Sequence, residues 1–344
     1  MSSVQFGVGF APSVPAPGVI DAAKLAEQLG YDVFWVTDSH MAVREATSLL
    51  GALAVSTSRI SLGPGVSHLA GRHPTVIASA MATLDELAPG RIRLGIGVGD
   101  SGPLNLGMQR TSVRDLEAAV TAIRKLLKGE ETPGATRPLR LSYLHARDAN
   151  PVPIYVAATG KRTLRMAGHV ADAALISGMP DELPGSIAII REGEQEAGRP
   201  VGSTRILFWT TACVDEDRQA ARAAVRGSVA RRAMNTFSRE LREGQLDDAD
   251  REALERLQAA HQQGHLWDTG YTDLVPERWV DRFSVAGTPD EVRARLERTL
   301  SDGADEISTI LMSSRSGGRG SADQLTVFAE SVIQPMRAAP TVTA

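Results

Sequence analysis

Hydrophobic and polar positions alternate along this chain on two length scales. Short runs rich in Val, Ile and Phe are each followed by a stretch of 11 to 18 residues in which apolar positions recur every three or four residues. The short runs are typical of β-strands, and the longer stretches have the period of amphipathic helices. Eight such pairs predict eight strands, at 4–10, 33–38, 60–68, 92–99, 153–160, 173–178, 205–214 and 306–313.

Each helical stretch has one apolar face. In the stretch 18–30, Val19, Ala22, Ala26 and Leu29 fall at spacings of three and four, and Gly30 ends the pattern. The strands are nearly continuous apolar runs, as in a parallel sheet that is covered on both faces. Eight successive strand and helix units therefore predict an α/β fold, a (β/α)8 TIM-type barrel.

Two segments exceed what this barrel requires. A (β/α)8 barrel takes about 250 residues, and the chain has 344. The excess lies at 130–151, which is rich in turn residues, and at about 220–289, which is charged and helical in pattern. We expect a single barrel domain over 1–338, with a helical insertion between strands seven and eight and a flexible tail at 339–344.

Charge and cysteine content exclude several classes of partner and site. The net charge is −4 and the pI is near 6.0, so no positive field attracts nucleic acid or an anionic membrane. A single cysteine, Cys213, excludes an intramolecular disulfide and a multi-cysteine metal site. The first basic residue is Lys24, and no apolar run approaches the roughly 18 residues of a spanning helix. We therefore expect a cytoplasmic protein.

Candidate chemistry lies where the predicted strands end, because barrel enzymes build their sites from the C-terminal ends of the strands. Small and polar residues close five of the eight predicted strands. Glycine at these places lets the backbone approach a flat ring or a phosphate closely. The residues are Asp38, Ser39 and His40; Gly65, Val66, Ser67 and His68; Gly97, Gly99 and Asp100; Ala158, Thr159 and Gly160; and Ser177 and Gly178.

The helix that follows Gly160 has two interpretations. Its N-terminus offers N–H groups to a phosphate, with Lys161 and Arg162 beside it. The same residues also make an ordinary tight turn with surface bases.

Residues 97–102, GVGDSG, fit the dinucleotide-binding pattern G-x-G-x-x-G. That pattern needs a helix that begins at its third glycine. We expect Pro103 and Gly107 to prevent a helix before Val113, which disfavours a dinucleotide site.

Metal and nucleophile sites lack their usual motifs. Among the seven histidines, only His261 and His265 lie at a helical i, i+4 spacing, and such a pair is more often surface than ligand. No G-x-S-x-G elbow and no Walker A sequence is present. The sequence therefore predicts no metal site.

Four ordered segments resemble the bacterial luciferase-like superfamily. They lie at 26–40, 63–101, 151–172 and 281–297, and within that superfamily they are most similar to the branch of F-420-dependent methylene-tetrahydromethanopterin reductases. The resemblance implies a TIM-type barrel with a cofactor at the C-terminal ends of its strands. That cofactor is coenzyme F-420, an 8-hydroxy-5-deazaflavin, or alternatively FMN in its reduced form.

The resemblance also implies a role for each strand end. Asp38 and His40 would meet the polar edge of the ring, although Ser39 separates two residues that relatives often place side by side. Gly65 and Val66 would be joined by a non-prolyl cis peptide and, with Ser67, support the ring. The remaining cofactor-binding residues would line its side chain (Gly97, Gly99 and Asp100), hold its phosphate (Ala158, Thr159 and Gly160) and complete the wall (Ser177 and Gly178).

Hydride transfer between coenzyme F-420 and a small organic substrate is the function that this resemblance favours. A deazaflavin carries carbon where flavin has N5, so it delivers hydride but reacts poorly with oxygen. His40 is the candidate proton donor, with Asp38 and His68 as second choices. An FMN-dependent monooxygenase that uses oxygen and a non-catalytic flavin-binding relative remain as alternatives.

Two further expectations concern partners. The resemblance implies a homodimer formed through barrel helices. The substrate itself is not readable from the sequence, although Trp267, Tyr271 and Trp279 are candidates for an apolar wall beside it.

Overall fold

The fold is taken from a computed structural model, which describes residues 4–145, 152–177, 180–242, 244–262, 272–315 and 322–338. The predicted tail at 339–344 therefore lies outside the described residues. The described residues divide into two compact units. The first unit contains residues up to 177 together with 183–209 and 302–308, and the second contains 180–182, 210–301 and the residues after 308.

The described residues contain nine strands. They are β1 Gln5–Phe10, β2 Val33–Val36, β3 Ser61–Pro64, β4 Leu94–Ile96, β5 Ile154–Ala158, β6 Ala173–Ser177, β7 Arg205–Val214, β8 Ser284–Gly287 and β9 Glu306–Leu311. Eight of them follow the order β3-β2-β1-β9-β7-β6-β5-β4, and bridges between Leu62 and Ile92 and between Ser67 and Ile96 join β4 back to β3. All eight predicted strands are present in this ring, so the prediction of a (β/α)8 barrel is confirmed.

Helices follow the strands as the sequence pattern predicts. They are α1 Ala16–Gln28, α2 Ala46–Ser56, α3 Pro74–Leu87, α4 Ser101–Asn105, α5 Val113–Leu127, α6 Lys161–Val170, α7 Leu183–Glu196, α8 Arg218–Arg242, α9 Asp248–Gln262, α10 Glu277–Phe283, α11 Pro289–Ser301, α12 Ala322–Phe328 and α13 Gln334–Ala338. A π-helical turn, Ala329–Ile333, connects α12 to α13. None of the described helices is long and apolar enough to cross a bilayer.

Large aromatic rings fill the interior of the barrel in the first unit. The ring of Trp35 lies 5.3 Å from the ring of Tyr155 and 6.1 Å from that of Trp209. Neighbouring strands make room for these rings with glycine, since a Cβ added at Gly63 would lie 2.9 Å from Trp35 and one at Gly65 would lie 2.8 Å from it. The interior is thus a packed core rather than a channel.

A buried charge network lies in the same interior. Glu306 accepts hydrogen bonds from Arg93 and from the Tyr155 hydroxyl, each at 2.9 Å, and pairs with Arg205 at 3.0 Å. Burial raises the pKa of Tyr155 well above its ordinary value, so the phenol stays protonated and donates to the carboxylate.

The second unit contains a strand that the sequence analysis missed. We expected the insertion at 220–289 to be helical, but β8 lies within it and pairs in parallel with β7, with Ser284 opposite Thr211. The expectation was wrong at these residues because SVAG is only four residues long and directly follows α10, so it gives no periodic signal of its own.

The core of the second unit also corrects the expected role of Trp279. Its indole is fully buried, packs 4.9 Å from the ring of Phe237 and donates a hydrogen bond from Nε1 to Asp250 at 2.6 Å. Trp279 is therefore a core residue, and not part of a substrate wall. The other two expected wall residues, Trp267 and Tyr271, lie outside the described residues.

Candidate active site

Asp38 is a buried carboxylate just beyond the end of β2. Its Oδ2 accepts a hydrogen bond from the Ser67 hydroxyl at 2.9 Å and a second from the Arg72 guanidinium. Arg72 also pairs with Glu45 at 2.8 Å. Arg72 was not among the predicted site residues, because it lies in the loop between β3 and α3 and not at a strand end.

Two histidines lie beside this carboxylate. Nδ1 of His40 is 3.6 Å from Oδ1 of Asp38, and the rings of His40 and His68 are 4.8 Å apart. His40 is partly exposed, whereas His68 is only 2% exposed. The structure thus brings together residues 38, 40, 67 and 68, as their places at neighbouring strand ends predicted.

His68 is an unusual buried group. Neither of its ring nitrogens has a hydrogen-bond partner among the described residues. Burial lowers the pKa of His68, and the nearby Asp38 carboxylate opposes this shift only in part. The ring is therefore neutral near pH 7 and carries one unused lone pair.

The expected cis peptide is present between Gly65 and Val66, directly after β3. Gly65 is required there by close packing, since its Cβ would also lie 2.9 Å from the Trp209 ring. A Cβ at Gly97, beyond the end of β4, would lie 3.4 Å from a methyl group of Val66 and 3.2 Å from Ala157. The ends of β3, β4 and β5 therefore meet with small side chains between them.

The turn at 97–102 contains a helix that we expected to be absent. The helix α4 begins at Ser101, immediately after Asp100, although Pro103 lies inside it. The expectation failed because the N–H groups of the first helical turn have no intrahelical partner, so a proline there removes no hydrogen bond. Gly99 supplies the positive φ, +82°, that turns the chain into this helix.

Gly102, the third glycine of the motif, packs against the ring of His68. A Cβ at Gly102 would lie 2.1 Å from Nε2 of His68, so only glycine leaves room for that ring. Nearby, the hydroxyls of Ser39 and Ser101 are hydrogen-bonded at 2.5 Å, and Asp100 forms an exposed ion pair with Arg110. The glycine pattern at 97–102 is thus explained by packing of the site, without a dinucleotide.

The end of β5 leads directly into α6. The Thr163 hydroxyl accepts the N–H of Gly160 at 3.1 Å and donates to its carbonyl at 2.8 Å, so Thr163 already satisfies that N–H group. Lys161 and Arg162 are exposed beside it. Ser177 ends β6 and is half-buried, whereas Gly178 lies outside the described residues.

This chain is similar in sequence to a known protein family and to enzymes of known activity. The sequence model of the luciferase-like monooxygenase family matches residues 3–306. A 5,10-methylenetetrahydromethanopterin reductase from Methanolobus tindarius is 31% identical over 88% of this chain and 93% of its own length. An F-420-dependent glucose-6-phosphate dehydrogenase from Beutenbergia cavernae is 33% identical over 78% of this chain and 79% of its own.

Among solved structures, the coenzyme F-420 dependent tetrahydromethanopterin reductase from Methanopyrus kandleri superposes with a TM-score of 0.83. It is 26% identical, and the alignment covers 97% of this chain and 100% of the reductase. The resemblance inferred from the four sequence segments is therefore confirmed. The chain belongs to the family of luciferase-like monooxygenases.

Proposed function

We propose that this protein is an oxidoreductase that transfers hydride between coenzyme F-420 and a small organic substrate. The similar proteins described above include a reductase and a dehydrogenase that are named as dependent on this coenzyme. The observation that carries the proposal is the cluster of Asp38, His40 and His68 next to the small residues at the ends of β3 and β4. This cluster supplies a candidate proton donor next to strand ends that carry small side chains.

The residues present fit such a coenzyme. Buried His68 has unused hydrogen-bonding capacity, which a polar group of the coenzyme would use. We assign the ring edge to Asp38 and His40. The other assignments are the ring face (Gly65, Val66 and Ser67), the coenzyme side chain (Gly97, Gly99 and Asp100), its phosphate (Ala158, Thr159 and Gly160) and the remaining wall (Ser177 and Gly178).

The chain's own part in the reaction is to hold and deliver a proton. When bound, the deazaflavin supplies or accepts the hydride. The Asp38 carboxylate faces Nδ1 of His40, with 3.6 Å between Oδ1 and Nδ1, so Nε2 is the ring nitrogen left to donate a proton. Ser67 and Arg72 hold the other carboxylate oxygen, which keeps Asp38 oriented towards His40.

A binding titration tests this proposal. Trp209 lies against Gly65, so a coenzyme held there should quench tryptophan fluorescence. We expect F-420 to quench it at a concentration at least tenfold below that of FMN. Tight binding of FMN together with oxygen uptake on adding substrate would instead identify a monooxygenase, and binding of neither compound would overturn both assignments.

We also propose that two copies of the chain associate through α2 and α3. The outer faces of these helices expose Val55, and Val76 and Leu87 line a groove of about 630 Å³ there. The groove is lined mainly by small residues such as Gly51 and Ala80, which would let a second copy approach closely. Sedimentation should give a dimer that Val76→Asp converts to a monomer, and a monomeric wild type would refute the proposal.

A cytoplasmic location is part of the same proposal. Cys213 is fully buried, and burial raises the pKa of its thiol to about 11. A chain whose one cysteine is an inert core residue needs no oxidising compartment to fold.

A further inference from the structure

We propose that Asp38, His40 and His68 form a binding site for a divalent transition-metal ion such as Zn²⁺ or Co²⁺. Each residue offers one ligand atom, and the three atoms lie within 4.8 Å of one another. In the described part of the chain, no other group of three His, Cys, Asp or Glu residues meets this condition. The three ligands form no sequence motif, because they come from two separate strand ends.

Buried His68 is the observation that points to a ligand. It is 2% exposed, and neither ring nitrogen has a hydrogen-bond partner among the described residues. Leaving a buried polar atom unpaired costs free energy, which a ligand that accepts its lone pair would recover. Neutral imidazole nitrogen is the most common protein ligand of transition metals.

The two oxygens of Asp38 have different partners. Oδ2 is held by Ser67 and Arg72, whereas Oδ1 faces His40. Oδ1 is thus the ligand oxygen, and the bonds to Oδ2 orient it as outer-shell contacts orient metal ligands in other sites. Glu45 pairs with Arg72 at 2.8 Å and offsets its positive charge near the ion.

The ligand set also selects the kind of ion. Two imidazoles and one carboxylate suit Zn²⁺, Co²⁺ or Ni²⁺, whereas Mg²⁺ and Ca²⁺ prefer oxygen ligands alone. Ligand atoms on one ion, with bonds of about 2.1 Å, lie at most about 4.2 Å apart. The three ligand atoms therefore have to approach one another when an ion binds, and His40 is the ligand whose side chain is partly exposed.

An ion at this site would occupy the same groups that we assign to proton delivery. On the proposed function, Zn²⁺ should therefore inhibit hydride transfer. The metal site itself does not depend on that function, since it is defined by the positions of three side chains. Binding and inhibition can accordingly be measured separately.

Equilibrium dialysis of the full, chelator-treated chain against Zn²⁺ tests the binding, and visible absorption of Co²⁺ tests the ligand environment. We expect one ion per chain, with binding at least tenfold weaker in His68→Asn and in His40→Asn. The matched control is His145→Asn, because His145 is exposed and outside the trio. It should bind as the wild type does.

Two outcomes would overturn the site. One is no stoichiometric binding to the wild type, and the other is equal binding by the wild type and both variants, which would place the ion elsewhere. If circular dichroism shows that His68→Asn is unfolded, His40→Asn alone decides, because its side chain is partly exposed. If dialysis shows a site but F-420 does not bind, the metal site stands and the proposed function fails.

Discussion

Gly102 offers a sharp test of how the site is packed. A Cβ at this position would lie 2.1 Å from Nε2 of His68 and 2.7 Å from its Cδ2, so the buried ring has to move. Overpacking of this kind costs about 1–3 kcal/mol. Alanine regains up to about 1 kcal/mol over glycine in a helix. With about 1 kcal/mol subtracted from this cost, we expect Gly102→Ala to lower the free energy of unfolding by up to about 2 kcal/mol.

Urea unfolding followed by circular dichroism measures this loss. Gly185→Ala in α7 is the matched control, because no atom lies within 4 Å of its added Cβ. It should leave the stability unchanged or raise it by up to about 1 kcal/mol. A double variant then isolates the contact, since Gly102→Ala should cost less in a His68→Ala background, where the ring is absent. An equal cost in both backgrounds would refute this packing of His68 against Gly102.

Three further predictions concern catalysis, pH and the barrel core. Replacing His40 by Ala should lower kcat with F-420 by about 10²–10⁴-fold, and unchanged steady-state turnover would remove it as the proton donor. Burial opposes protonation of His169, but its hydrogen bonds to Glu117 and Glu196 raise its pKa above 6.5. Protonated His169 therefore stabilises the folded state, fully below pH 6.5 and less and less as the pH rises through the raised pKa. His169→Asn should accordingly lower the Tm more near pH 6 than near pH 9. Equal losses of Tm would contradict that sign. Glu306→Gln removes the buried carboxylate that pairs with the buried guanidinium of Arg93 and should cost about 3–5 kcal/mol in urea unfolding, and a loss below about 1 kcal/mol would contradict this prediction.

Local patterns failed where an element was too short to have a period. The strand β8 has four residues and α4 has five. Neither length contains enough repeats for hydrophobic periodicity to identify it. In α4, the apparent obstacle of Pro103 was also misjudged, since a proline in the first helical turn breaks no hydrogen bond. Longer elements such as α5, with an apolar face through Leu116, Val120 and Ile123, were predicted correctly.

The barrel and the identity of the strand-end residues can be predicted from the sequence alone. Alternation of apolar runs and amphipathic helices is a local property, so it is readable without coordinates, and so are the small and polar residues that close five of the eight predicted strands. Which side chains contact one another depends on the tertiary structure. Arg72 contacts Asp38 from the loop that follows β3. The ring of His68 packs against Gly102 and His40. These contacts join residues about 30 positions apart or more, and closure of parallel strands, which no local pattern records, brings them together.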